Sequence, residues 1–211
     1  MSPRVSQPRL VSIEGGEGAG KSTVINALRT ALEAAGERVI ATREPGGTPL
    51  AEMIRGLLLD PAHEPASPET ELLLMFAARA QHVREVIAPA LEAGAWVLCD
   101  RFTDSSYAYQ GAGRGVDEAL IATLERDCVG IVPGLTFLLD IDVAAGRART
   151  QSRGGALDRI ERERDEFFQR VRAGFLRRAE ADPARFRVLD AAQPADAVAA
   201  QALQALDAHR R

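Results

Sequence analysis

Residues 15–22 read GGEGAGKS, with four glycines in eight positions and a lysine and a serine at the end. Glycine loses more backbone entropy on folding than any other residue, so such a run inside a globular chain needs a reason. The stretch fits the pattern G-x-x-x-x-G-K-[ST] from Gly15 to Ser22, in which backbone N–H groups turn inward around phosphate oxygens. It therefore predicts a phosphate-binding loop in preference to a flexible turn.

The residues on either side of this loop support the prediction. A short apolar run at 10–13 precedes it and the helical run TVINALRTALEAAG follows it, so a helix N-terminus adds partial positive charge. Lys21 would reach the outer phosphates of ATP as a point charge, and the hydroxyl of Ser22 can bind Mg²⁺. The other predicted ATP contacts are Gly15, Gly16, Glu17, Gly18, Ala19, Gly20 and Thr23.

Short apolar runs alternate with longer helical patterns along the whole chain. The predicted strands are 10–13, 38–41, 96–99, 135–139 and 187–189; the predicted helices lie near 21–35, 48–59, 69–93, 116–129, 142–151, 158–180 and 194–208. This alternation is typical of an α/β fold with a parallel sheet between helices. Pro89 is expected to kink or end its helix. We expect a disordered tail at 1–8 and a single domain over 9–211.

Length and composition bound the function. The chain has 211 residues, a formal net charge of −4, 46% hydrophobic and 27% charged residues, as expected of one globular domain. Mild acidity disfavours nucleic acid as a partner. Cys99 and Cys128 lack metal-type spacing and are predicted to be free thiols in a reducing compartment. No signal peptide or membrane-length apolar run is evident, so a cytoplasmic protein without a membrane partner is predicted.

Charged residues follow three of the predicted strands. Arg43-Glu44, Asp100-Arg101 and the pair Asp140 and Asp142 fall where parallel strands end, which is where ligands bind in open α/β sheets. The N-K-x-D segment that would indicate a GTPase is not in the sequence. These pairs beside a phosphate loop indicate phosphoryl transfer to a second small anion.

The stretch GRARTQSRGGALDR, residues 146–159, has the composition of a closing flap. Arg149 and Arg153 are four residues apart and would share one helix face, while the glycines at 154 and 155 supply a hinge. A solvated basic helix is the alternative. Because the glycines interrupt the helix where a flap needs freedom, the sequence favours a short lid at about 147–158.

Four motifs together resemble bacterial thymidylate kinases that carry a lid arginine: GGEGAGKS, TREPGGTPLAEMIR, LLMFAARAQH and DRFTDSSYAYQG. The likeness runs from about residue 10 to the last strand. It implies the P-loop NTPase fold with a five-stranded parallel sheet, and a homodimer. It also implies ATP-dependent phosphorylation of dTMP to dTDP, a step of dTTP biosynthesis, by direct in-line transfer.

The resemblance assigns the catalytic groups residue by residue. Lys21 and Ser22 match the residues that hold ATP phosphates and Mg²⁺, and Arg101 matches the arginine between the donor and acceptor phosphates. Asp100 would act through Mg²⁺ or its water, or would position the acceptor. Because the loop itself has no arginine, Arg153 of the lid takes the part of the catalytic arginine.

Two further assignments concern the ATP side and the loop acid. Arg149 resembles an ATP contact that supports the lid arginine. Glu17 resembles the loop carboxylate that approaches the 3′-hydroxyl side of the acceptor sugar, and it is counted among the catalytic residues.

The implied dTMP pocket comprises Glu44, Arg55, Phe76, Arg79, Arg101, Ser106, Tyr109 and Gln110. Arg55 resembles the arginine that grips the dTMP phosphate with support from Glu44. Arg79 resembles the donor to the thymine carbonyl, and Tyr109 the ring that crowds a 2′-hydroxyl. Positions that read the base or the nearby nucleotide edge are Ser106 and Gln110.

One position departs from the family pattern. The thymine-stacking aromatic commonly lies four residues before the arginine that Arg79 resembles, and Met75 occupies that position here. Phe76 could stack from a slightly rotated helix, Met75 could cover the base with its polarizable sulfur, or either could be core. The aromatic ring favours Phe76 as the base contact.

Rival interpretations stay open at this point. Arg101 could be a structural ion-pair partner and Arg79 could merely snorkel from its helix. The chain could instead be a kinase for dUMP, dCMP or a nucleoside, although Arg55 and Arg101 favour a phosphorylated acceptor. A nucleotide-binding module without turnover is the rival from another class, and the intact Lys21, Ser22 and Asp100 disfavour it.

Overall fold

The computed structural model of the chain describes residues 5–152 and 158–211. Five strands form one parallel sheet in the order β2-β3-β1-β4-β5. The strands are β1 (Val5–Gly15), β2 (Val39–Arg43), β3 (Trp96–Asp100), β4 (Ile131–Asp140) and β5 (Phe186–Asp190). The predicted five-stranded parallel α/β sheet is confirmed, and all three charged clusters follow strand ends at one edge of it.

Helices connect the strands. They are α1 (Lys21–Ala34), α2 (Pro49–Leu59), α3 (Pro68–His82), α4 (Ala88–Glu92), α5 (Thr103–Ser106), α6 (Glu118–Leu124), α7 (Val143–Ser152), α8 (Asp165–Ala181) and α9 (Ala195–His209). Three π-helical segments, Val83–Ile87, Tyr107–Gly113 and Glu125–Val129, continue α3, α5 and α6. Within the described ranges, no helix combines the length and the apolar character that crossing a bilayer requires.

The sheet separates two apolar layers. Val11 and Ile13 of β1 face a cluster that includes Leu28 of α1 and Ala202 of α9, whereas Leu10 faces the opposite side. Neighbouring strand residues point to opposite faces, so the second half of β1 is buried on both sides of the sheet. Helices α2, α3 and α8 cover the face of the sheet opposite to the one that α1 and α9 cover.

Two boundaries correct the sequence predictions. Residues 5–8, expected in the tail, belong to β1, where Val5 pairs with Ile131 and a register shift accommodates the segment containing Pro8. The helical run predicted at 69–93 is present from Pro68 to Glu92; a π-helical segment, Val83–Ile87, interrupts the α-helical pattern and Pro89 lies in the first turn of α4 that follows.

The helix expected to begin at residue 158 begins instead at Asp165. The Asp158 carboxylate accepts the backbone N–H groups of Ile160 and Glu161, and Glu161 accepts the N–H of Asp158 in return. This reciprocal capping closes a local turn. The turn replaces the first part of the predicted helix and lies at the edge of the candidate site.

Candidate active site

The glycine-rich loop turns tightly between β1 and α1. Gly18 has a φ of +71°, and a Cβ placed on it would collide with the carbonyl oxygen of Gly146 in α7. Only glycine fits this close approach and this left-handed backbone. The loop is therefore closed onto α7, the helix that leads into the expected lid.

Lys21 is buried beneath this loop. Its Nζ donates to the carbonyl oxygens of Gly16 at 3.1 Å and Gly15 at 3.4 Å. Burial lowers the pKa of Lys21, and the nearby Arg101 charge lowers it further. Two cations so close together, held where the loop N–H groups lie, form a concentrated positive region suited to polyphosphate.

Arg101 bridges the loop and a second cleft. Its Nη1 donates to Gly15 O at 2.9 Å, its Nη2 donates to the Glu17 carboxylate, and the guanidinium lies 4.9 Å from the Tyr109 ring centroid. The backbone of Arg101 has a φ of +69°, which is uncommon for a residue with a side chain. Its N–H donates to Ile13 O at 3.0 Å, so strand β1 holds this conformation.

Glu17 is the acid at the centre of this group. Burial alone would raise its pKa, but Arg101 and Lys21 outweigh burial and the pKa falls to about 2. The Tyr109 hydroxyl also donates to Glu17, at 3.3 Å. Burial raises the pKa of Tyr109, so the tyrosine stays a neutral donor. The structure thus brings Lys21, Glu17, Arg101 and Tyr109 together, as predicted.

Glu14 is a buried acid that the sequence analysis missed. It accepts the Phe102 N–H at 2.7 Å and the Ser105 hydroxyl at 2.6 Å, and so ties the end of β1 to the segment after Arg101. Burial raises its pKa to about 7, and the charge of Asp104 adds to that rise. An acid placed directly after the apolar run at 10–13 and before the glycine-rich loop was the available signal.

The second cleft is organised around Arg79, a 3% exposed side chain on α3. Its Nε donates to Glu44 at 2.5 Å, Nη1 donates to Ser106 Oγ at 3.0 Å and Nη2 donates to Phe102 O at 3.1 Å. Hydrogen-bond acceptors on three sides of this guanidinium disfavour a snorkelling role, in which the head group would reach solvent. The contact with Ser106 also joins two residues that were predicted separately.

Met75 lines this cleft, whereas Phe76 does not. Phe76 is 2% exposed, packs in the core with Leu72 and Val97, and lies beneath Arg79, whose guanidinium is 4.7 Å from the ring centroid. The expectation that Phe76 faces the base is therefore corrected, because a rotation of about 100° per helical residue separates the two neighbours. Phe76 supports the arginine from below.

Arg55 and Gln110 complete the cleft. Arg55 Nη1 donates to Pro45 O at 3.0 Å, next to Glu44. The Gln110 amide donates to Glu71 at 2.9 Å. Glu71, also missed from sequence, accepts Arg159 at 2.7 Å and so links this cleft to the segment after the expected lid.

Most of the predicted site residues line one open cleft of about 1080 Å³. They are Glu17, Gly18, Ala19, Gly20, Lys21, Ser22, Glu44, Arg55, Arg79, Asp100, Arg101, Ser106, Tyr109 and Gln110. Gly15 and Gly16 line an adjoining cavity of about 680 Å³ that shares Glu17 with the cleft. Thr23 lies in the first turn of α1 behind the loop.

Of the two arginines predicted in the lid, only Arg149 lies in the described part of the chain. Arg149 lies on α7, where Nη1 donates to Ala191 O at 2.7 Å in the loop after β5. Arg153 lies outside the described residues, so its catalytic role stays a prediction from the sequence. The cleft also includes Asp158 and Glu161, from the turn that replaces the expected helix start.

The donor set fits a magnesium ion. Within the described ranges, Asp100 Oδ1 is buried without a hydrogen-bond partner, and it lines the same cleft as Ser22. A buried carboxylate oxygen without a partner is costly unless a cation or its water occupies it. Mg²⁺ prefers one or two such oxygens together with substrate phosphates, so these residues suit it.

Comparisons with known proteins agree with this geometry. The family model described as thymidylate kinase matches residues 13–202. The chain is 57% identical over 198 residues to the thymidylate kinase of Pseudomonas fluorescens, covering 93% of this chain and 92% of that protein. It is 56% identical over 194 residues to the thymidylate kinase of Chromohalobacter salexigens, covering 91% and 92%.

A solved structure gives the same result. The crystal structure of thymidylate kinase from Ehrlichia chaffeensis is 33% identical, with a TM-score of 0.77, and the match covers 96% of this chain and 99% of that one. The predicted P-loop fold and the resemblance drawn from four motifs are both confirmed. The family model, the curated relatives and the solved structure agree with the phosphate loop and the arginine-lined second cleft, and the chain belongs to the thymidylate kinase family.

Proposed function

We propose that this chain transfers the γ-phosphoryl group of ATP directly to dTMP, giving dTDP and ADP. The observation that carries the proposal is the position of Arg101, which bonds to the phosphate loop through Gly15 O and to Glu17 at the entrance of the second cleft. A donor held by the loop and an acceptor held by the cleft would meet at this guanidinium. Such a geometry supports in-line transfer without a phosphorylated enzyme.

The donor side is built by the loop and the end of β3. Lys21 neutralises the outer phosphates of ATP, and Ser22 and Asp100 would hold Mg²⁺ through the hydroxyl and the buried carboxylate oxygen. Bound there, Mg²⁺ would supply positive charge that offsets the charge of the phosphates. The P-loop backbone, residues 15–20, orients the phosphates, and Thr23 and Arg149 support ATP binding from the start of α1 and from α7.

The transfer step requires charge neutralisation more than proton removal. The acceptor phosphate is already a nucleophile at neutral pH, so a strong general base is unnecessary. Arg101 stabilises the charge that spreads over the moving phosphoryl group, because its fork is fixed in place before the reaction. We assign Arg153 a second such role from the lid at about 147–158, on the sequence pattern alone.

The acceptor side selects the nucleotide. Arg55 holds the dTMP phosphate, with Glu44 supporting the neighbouring loop. Arg79 donates to a thymine carbonyl, Met75 covers the base in place of Phe76, and Ser106 and Gln110 border it.

Glu17 and Tyr109 face the acceptor sugar as a bonded pair. The Tyr109 ring packs edge-on against Phe167 and Phe175, so it is fixed where a 2′-hydroxyl would have to fit. The Glu17 carboxylate is charged at neutral pH and can accept a hydrogen bond from the 3′-hydroxyl of the sugar. Together they favour a deoxyribonucleotide.

The assembly proposed is a cytoplasmic homodimer that forms through α2 and α3. In the described part of the chain, these two helices expose Leu50, Met53, Leu57 and Leu73, although they pack against each other. Met53 is 64% exposed, which is unusual for a large apolar side chain in a contiguous stripe. A second copy would remove this surface from water.

An ADP-release assay across monophosphates tests the function. With ATP and Mg²⁺, we expect turnover with dTMP, weaker turnover with dUMP, and little with dCMP or CMP. Equal rates with CMP and dTMP would defeat the acceptor assignment. Failure to form any diphosphate would favour a binding module, and a trapped phosphoenzyme would contradict direct transfer.

A further inference from the structure

His82 is a fully buried histidine at the end of α3 whose ring joins two other parts of the acceptor side. Its Nε2 lies 2.7 Å from Thr42 Oγ1 on β2, and its Nδ1 lies 3.0 Å from Glu44 Oε1. Because an ionised carboxylate only accepts, Nδ1–H is the donor to Glu44, and in the neutral imidazole Nε2 then accepts from the Thr42 hydroxyl. No step of the proposed mechanism uses this imidazole.

The two oxygens of Glu44 serve different partners. Oε1 accepts from His82, and Oε2 accepts from Nε of Arg79. A carboxylate held on both oxygens cannot rotate, so it fixes the plane of the guanidinium that it bonds. Three of the five N–H groups of Arg79 have partners among the described residues, which leaves two for a ligand in the cleft.

The imidazole also packs against the loop that follows β2. Gly47 has a φ of +87°, and a Cβ there would collide with Cδ2 and Nε2 of His82 and lie 2.9 Å from Thr42 Oγ1. The ring therefore packs against the segment that runs from Glu44 to α2, the helix that carries Arg55. This segment holds the bonding partners of both arginines of the acceptor side: Glu44 for Arg79 and Pro45 O for Arg55.

A metal site is a poorer interpretation of the same atoms. Among the described residues, Glu44, His82 and Cys99 place ligand atoms within 4.8 Å of one another. Burial, with Glu44 and other acids, raises the pKa of Cys99 well above its ordinary value, so the thiol stays protonated and donates to Arg101 O at 3.0 Å. Both Glu44 oxygens and both ring nitrogens of His82 are already paired.

We propose that His82 is a positioning residue that fixes Glu44 and, through it, aims Arg79 at the acceptor base. The inference rests on the proposed role of Arg79 as the donor to a thymine carbonyl. Cytosine presents an amino donor where thymine presents a carbonyl acceptor, so a fixed guanidinium favours dTMP over dCMP. A loosened guanidinium would lose part of this discrimination.

The experiment compares His82→Leu with His82→Asn, which places a side-chain amide donor where Nδ1 lies, and with Thr42→Val, which removes only the distal bond. We expect His82→Leu to raise KM for dTMP about tenfold and to lower the dTMP/dCMP ratio of kcat/KM about tenfold, with KM for ATP unchanged. His82→Asn should recover part of both effects. Thr42→Val should change them about twofold.

Several outcomes would overturn the proposal. They are an unchanged dTMP/dCMP ratio in folded His82→Leu, an equal rise in KM for ATP, or no recovery in His82→Asn. If His82→Leu does not fold, His82→Gln replaces it, since its side-chain amide can reach Thr42 but offers no donor where Nδ1 lies; an unchanged dTMP/dCMP ratio in that variant overturns the proposal. Arg79→Lys distinguishes failure of the proposed role of Arg79 from failure of the inference about His82. If Arg79→Lys keeps the wild-type KM for dTMP and the wild-type dTMP/dCMP ratio, the proposed role of Arg79 fails. If Arg79→Lys loses selectivity but His82→Leu does not, only the inference about His82 fails.

Discussion

Glu14 should make the stability of this protein fall as the pH rises through neutrality. Its carboxyl is fully buried and its folded-state pKa is about 7 against an ordinary 4.5, because burial and the charge of Asp104 oppose ionisation. The folded protein therefore binds this proton more tightly than the unfolded chain does. The resulting stabilisation is complete below pH 4.5 and is lost as the pH rises through 7.

The size of the effect follows from the two pKa values. A difference between 4.5 and about 7 corresponds to about 3 kcal/mol, most of which is lost between pH 5 and pH 8.5. Glu14→Gln keeps an oxygen that can accept the Phe102 N–H but cannot ionise. We therefore expect the variant to gain about 2 to 3 kcal/mol relative to wild type over this pH range.

Urea unfolding at pH 5, 6, 7 and 8.5, followed by the fluorescence of the single tryptophan, Trp96, measures this difference. Glu17→Gln is the matched control, since Glu17 has a pKa of about 2 and stays charged over the whole range. Its stability relative to wild type should be independent of pH. A difference between Glu14→Gln and wild type that also stays constant within about 0.5 kcal/mol would refute the reasoning.

Three other variants test other parts of the molecule. Arg101→Lys keeps the charge but loses the fork that bonds Gly15 O, so kcat should fall about 100-fold; a rise in KM alone would contradict its role. Gly47→Ala should lower the free energy of unfolding by about 2 to 4 kcal/mol in thermal unfolding, because the backbone is left-handed and the new Cβ collides with the buried imidazole of His82. The control Gly36→Ala has a similar φ of +79° but open space around it, so it should lower the free energy of unfolding by only about 1 to 2 kcal/mol. Met53→Glu should shift the sedimentation coefficient towards a monomer, and Val188→Glu, at a 50% exposed position on β5, should not; equal effects would place the dimer surface elsewhere.

The parts that sequence predicted well depend on local patterns. The phosphate loop is a contiguous motif, and the buried strands are short apolar runs, so both could be recognised without knowledge of distant contacts. The N-terminal boundary failed because residues 5–8, VSQP, contain no apolar run, and their place in β1 depends on pairing with β4 more than 120 positions away. The start of α8 failed because Asp158 and Glu161 cap a turn that local helical periodicity does not reveal.

Met75 and Phe76 show a different limit. Both are apolar, they are adjacent, and the periodicity of α3 places each within reach of the position that faces the base. Which one does so depends on the rotation of α3 against the sheet, and that is set by how Leu72 and Phe76 pack with β3. A helix rotation decided by tertiary packing cannot be read from the helix alone.

The supporting acids were missed for the same physical reason. Glu14 bonds a hydroxyl 91 positions away, and Glu71 bonds Arg159 across 88 positions. Glu14 is a single acid at the end of an apolar strand, and Glu71 lies in the first turn of a helix. In both settings the local sequence pattern predicts a solvent-exposed side chain. Their partners become visible only when the chain is folded.

These long-range contacts matter because Arg101 occupies an uncommon backbone conformation. A left-handed φ of +69° disfavours any residue with a Cβ, so the segment would relax unless its neighbours held it. Three contacts do so: the N–H of Arg101 bonds Ile13 O, its carbonyl accepts from Cys99, and the next N–H bonds Glu14. Under the proposed function, an Arg101 whose backbone is fixed in this way would need little reorganisation when charge develops on the transferred group, and the buried Glu14 behind it would act as a positioning residue for that step.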